Sequence, residues 1–178
     1  MSDRREFRTA RLRLAAEPTG GLVALRIRVD DPDTRALVGA ALALALPMTP
    51  RRPARRADLT IHWTAPDAWL LAGDAATLIA SLRHALGSRH AAIVDVSDAR
   101  ARFTIAGPAA RGLLAKGTGI DLDAAQFAIG DAALTRFADL TVLLECASDE
   151  PLFHLLADRP ATDHLWTWLL DAAHEFKN

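Results

Sequence analysis

The 178-residue chain carries a single thiol, Cys146. That excludes an intrachain disulfide and a cysteine-rich metal cage, and it fits a cytoplasmic setting. Net charge is almost absent, at −1, which gives no basis for nucleic-acid binding or for attraction to a membrane. Long apolar runs are missing too. The longest, around residues 36–46, falls well short of the roughly 20 residues a spanning helix needs. The charged opening, 1–14, does not read as a secretory signal. There are no internal repeats and no low-complexity tracts.

Motifs for catalysis are equally scarce. Ser97 sits in DVSD, with no G-x-S-x-G elbow around it. Gly107, Gly112, Gly117 and Gly119 match neither G-x-G-x-x-G nor a Walker A loop. None of His62, His84, His90, His154, His164 and His174 forms a close metal-binding pair on a predicted helix. Cys146 ends the apolar run VLLEC, where a free thiol acts as a small hydrophobe. Asp95, Asp98, Asp121 and Asp123 suit turn and cap positions. The residues assign no catalytic, cofactor-binding or metal-binding site.

What is present is ordinary core-forming material. Hydrophobic residues make up 51% and charged residues 24%, enough for a core that buries roughly 70% of the unfolded surface. The charge is unevenly placed. Residues 1–60 hold 12 arginines against 7 acidic residues, while the remainder holds 9 basic against 15 acidic. Lysine is nearly absent, so the asymmetry reflects either genome composition or an acidic partner facing the N-terminal half.

Residues 1–178 read as one compact domain. Residues 1–17 form a charged arm, mobile or ordered as a strand by a partner. Residues 22–29 alternate as a strand, with Val23, Leu25, Ile27 and Val29 on one side. Asp30 or Asp31 caps a helix over 32–46 whose Ala-Leu face is buried, and Pro47 stops it. Residues 47–58, PMTPRRPARRAD, form a Pro/Arg loop. It lacks the interleaved aromatics of a nucleic-acid binder and suits a solvated connector or a partner contact.

Strands follow at 59–63 and 68–71, then a helix over 75–86 capped by Asp74 and ended by Gly87. Further strands cover 90–96, 100–105, 132–137, 140–146 and 149–156. A last helix runs from Thr162 or Asp163 to Phe176. The fold class is α+β, with mixed, mostly antiparallel sheets and packed helices.

The most informative stretch is 95–127, DVSDARARFTIAGPAARGLLAKGTGIDLDAAQF. Asp95 and Ser97 mark a turn between two strands. Gly107-Pro108 stops the second strand and opens a short helix. Gly117 and Gly119 end that helix, where positive φ is expected. Asp121, Leu122 and Phe127 lie in the exit.

This run resembles the aminomethyltransferase (T-protein) fold, whose corresponding part has two small lobes. The whole chain resembles one branch more closely, the gamma subunit of heterotetrameric sarcosine oxidase. Residues 62–71 (HWTAPDAWLL) are similar to its "W-L-G-P-D-E-W-L" element. Residues 121–130 (DLDAAQFAIG) are similar to "D-L-H-P-x-x-F-x-x-G", and 159–176 are similar to its closing helix. Thr64-Ala65, Asp123 and Pro160-Ala161 depart from the pattern.

The resemblance implies a non-catalytic subunit of a complex that oxidatively demethylates sarcosine to glycine and passes the methyl carbon to tetrahydrofolate. FAD, FMN, NAD and tetrahydrofolate are then expected in partner subunits of alpha, beta and delta type. Two alternatives keep the fold: a gamma-type subunit of another N-methyl amino acid dehydrogenase, or a stand-alone folate-binding protein. The isolated chain is open to homodimer formation. The strand-to-strand connection within 131–146 is too short for the folate-recognising hairpin of full transferases. The chain also ends where those transferases continue into a further domain.

Four tryptophans are candidates for a partner interface: Trp63, Trp69, Trp166 and Trp168. Tryptophan is enriched at interface hot spots. Positions two apart on a helix point about 200° from each other, so Trp166 and Trp168 cannot share one face.

Overall fold

A computed structural model describes residues 5–28, 30–148 and 150–176. The expectations at Val29 and Asp149, and for the first four residues of the arm, lie outside the described residues. The chain divides into two compact units. One unit combines residues 1–19 with 99–178, and the other is 20–98.

The inserted unit holds strands β3 (Leu22–Ile27), β4 (Ala54–Arg56), β5 (Leu59–Ala65), β6 (Ala68–Ala72) and β7 (Ala91–Asp95). Their order is β4-β5-β6-β3-β7, and every pairing is antiparallel. Alternation decides the buried face: Val23, Leu25 and Ile27 point one way, with Ile61, Trp69 and Leu71 beside them. Helices α1 (Pro32–Leu42) and α2 (Ala75–Leu86) contribute Val38, Leu42, Leu78, Leu82 and Leu86 to the same core.

Both helices start where the sequence says they should. The Asp31 carboxylate accepts from the Thr34 amide at 2.9 Å, and the Asp74 carboxylate accepts from the Thr77 amide at 2.8 Å. α1 ends early, however. Ala43 adopts a left-handed φ of 47° and closes the helix, so Pro47 is not what stops it. The expected burial of its Ala-Leu face also fails, because Leu37 is 37% exposed.

The other unit holds β1 (Arg5–Arg8), β2 (Arg13–Glu17), β8 (Arg100–Ala106), β9 (Ala132–Phe137), β10 (Leu140–Ser148) and β11 (Leu152–Asp158). The order is β1-β2-β8-β11-β10-β9, again antiparallel throughout. Two helices belong to it, α3 (Ala110–Ala115) and α4 (Thr162–Ala172). Its core is rich in aromatics: Phe103, Phe127, Phe137 and Phe153 are wholly enclosed, with Leu113, Leu165 and Leu169 packed against them.

Three local expectations need correction. The described part of the 1–17 arm is no arm, because β2 pairs with β8 and buries Leu14 completely. The 47–58 loop contains β4, which pairs with β5. The last helix ends at Ala172, and a 3-10 turn covers Ala173–Phe176. The fold class stands: an α+β protein with antiparallel sheets and packed helices.

Candidate functional site

The 95–127 segment straddles both units. β7 and β8 do not pair, and each belongs to a different sheet. The short 3-10 turn Ser97–Ala99 hands the chain from one to the other. The Asp95 carboxylate accepts from the Ser97 amide at 2.9 Å and from its hydroxyl at 2.6 Å. Those bonds hold the Asp95 carboxyl below its ordinary range. The Ser97 hydroxyl oxygen in turn accepts from the Leu22 amide at 2.9 Å, tying the end of β7 to the start of β3. Asp95 and Ser97 thus act as fasteners of the inserted unit.

Gly107 follows β8 with φ 108°, and its amide donates to Pro151 O at 2.9 Å. A Cβ there would lie 2.6 Å from Arg11 O, so glycine answers both a conformational and a spatial demand. Pro108 precedes α3 in the turn closed by the Ala110 amide donating to Gly107 O at 2.9 Å.

Gly117 has a different reason from the one expected. Neither Gly117 nor Gly119 has a positive φ. A Cβ on Gly117 would meet ring atoms of Phe137 at 2.6 to 2.9 Å. Phe137 is fully enclosed and packs edge-on against Trp168 with centroids 4.9 Å apart, so the ring has no free direction.

The exit loop is pinned by a residue the sequence reading passed over. The Arg111 guanidinium on α3 donates to Leu122 O and Phe127 O, and it sits 5.1 Å from the centroid of Phe153. Asp121 accepts from the Asp123 amide at 2.9 Å, and Asp123 accepts from the Ala125 amide at 2.8 Å. The Asp131 carboxylate, in a side chain only 1% exposed, accepts from the Ala128 amide at 3.1 Å. Arg111 escapes sequence reading because carbonyl oxygens leave no mark in residue identity.

The possible reactive groups occupy structural positions. Cys146 is buried in the core of its unit. Among the described residues, no group of three His, Cys, Asp or Glu could hold a metal ion. His154 lies with its Nδ1 3.3 Å from the Thr104 hydroxyl, and that hydroxyl donates to Glu17 at 3.0 Å. Burial pushes the His154 imidazole down from its ordinary value, and Arg102 adds to this while Glu145 and Glu17 oppose it. No helix among the described residues is long and apolar enough to cross a membrane.

The tryptophans separate into different roles. Trp69 is 1% exposed and donates its indole N–H to Pro47 O at 2.9 Å. It is a core anchor, so the expectation that it faces a partner is corrected. Trp63 is directly opposite Trp69 across β5 and β6 and is half-buried. Its buried indole N–H has no hydrogen-bond partner among the described residues. Trp166 and Trp168 are both half-buried and both pack against the aromatic core, despite their opposite directions on α4. Leu165 and Leu169 fill the seam of that helix.

The comparisons with known proteins fit this architecture. The chain is similar to a chain of the heterotetrameric sarcosine oxidase from Corynebacterium sp. U-96, solved in complex with pyrrole 2-carboxylate. Identity is 28%, covering 97% of this chain and 89% of that one, with a TM-score of 0.88. It also shares its fold with glycine cleavage system aminomethyltransferase T from Bartonella henselae. There identity is 15%, covering 91% of this chain and 46% of that one, with a TM-score of 0.63. No curated protein matches this chain. The model of the sarcosine oxidase gamma subunit family matches residues 26–175. This chain therefore belongs to the sarcosine oxidase gamma subunit family.

Proposed function

We propose that this chain is the gamma-type subunit of a heterotetrameric sarcosine oxidase and acts by completing the assembly, not by supplying reactive groups. The observation that carries the reading is the match to a chain of such a heterotetramer over 97% of this one at a TM-score of 0.88. Its partners are subunits of alpha, beta and delta type. FAD, FMN, NAD and tetrahydrofolate belong to them, together with the demethylation of sarcosine and the transfer of its methyl carbon.

The way this chain uses its own polar residues supports that division of labour. Ser97 is tied to Asp95 and to the start of β3. Cys146 fills core volume. Asp121 and Asp123 hold turns. A permanent subunit contact of this kind typically buries about 2,000 Å² or more.

The test is reconstitution. The larger subunits, expressed with and without this chain, are assayed for sarcosine-dependent oxygen consumption and for complex mass. The expected result is a stoichiometric complex only when this chain is present, with no turnover by this chain alone. Turnover by the isolated chain, or failure to join the complex, would overturn the proposal.

A further inference from the structure

We draw no further inference here: the strongest candidate, the open outer edge of β7 in the five-stranded sheet, where Ala92 and Val94 are exposed, carries nothing because nothing in the structure shows what covers it.

Discussion

The unit formed by the two ends of the chain encloses four phenylalanines and covers its sheet with α3 and α4. The inserted unit has one enclosed tryptophan, a core of Leu, Ile and Val, and α1 with Asp33, Ala36, Leu37 and Ala40 on its exposed side. Both begin from the same device, an antiparallel sheet with helices packed on it. They differ in how the helices finish. α4 ends its apolar stripe against Phe137 through Trp168, whereas α1 leaves Leu37 37% exposed. Burial of apolar area stabilises a fold wherever it happens, and area left exposed is available to a partner. Apolar area stays exposed in both units, at Ile129 and Leu134 in the aromatic one and at Leu37, Met48 and Val94 in the aliphatic one.

The sharpest way to break the comparison is at Gly117. Substituting alanine drives a methyl group into the enclosed ring of Phe137. It should cost about 3 kcal/mol, at the upper end of typical overpacking penalties, measured by chemical denaturation. Pairing it with Phe137→Leu should recover part of that loss in a double-mutant cycle. Purely additive losses would show that the glycine serves some other need.

Arg111→Met tests the clamp that pins the exit loop. Removing the donor takes its hydrogen bonds away from Leu122 O and Phe127 O, an expected loss of about 2 kcal/mol. Hydrogen exchange should speed up across 121–131 first. Unchanged exchange there would contradict the clamp.

Ala43→Gly sharpens the comparison from the other side. Ala43 caps α1 in a left-handed conformation that glycine adopts freely. The variant should gain about 1 kcal/mol in stability. A loss would mean that the methyl group packs usefully.

The smallest effect concerns pH. Folded His154 holds its proton less tightly than an unfolded histidine, whose pKa is about 6.5. The unfolded chain therefore takes up that proton first. The stability linked to His154 is complete above about pH 6.5 and falls as pH drops through that value toward the lower folded-state pKa. Melting curves of wild type and His154→Gln should diverge over this window, with the variant less pH-sensitive. Parallel curves would contradict the assignment.

Much of the fold was legible in the residues. The helix expected over 75–86 is α2, bounded by Asp74 and Gly87 as read, and the strand expected over 132–137 is β9. Strong periodicity and specific caps leave few alternatives at those places. β1 and β2 were hidden because their sequence is charged and β2's partner β8 is far along the chain. The separation of β7 from β8 was hidden because a turn between strands looks the same whether it closes a hairpin or changes sheet. Of the interface candidates, Trp69 misled because its hydrogen bond to Pro47 O depends on tertiary placement. The apolar run of α1 was visible, but its exposure was not, since composition gives no direction.

The most direct measurement is the native mass of the larger subunits co-expressed with and without this chain. The account predicts one stoichiometric complex that contains this chain and forms only in its presence. A complete complex without it, or a wild-type chain that stays free, would contradict the claim that this chain completes the assembly.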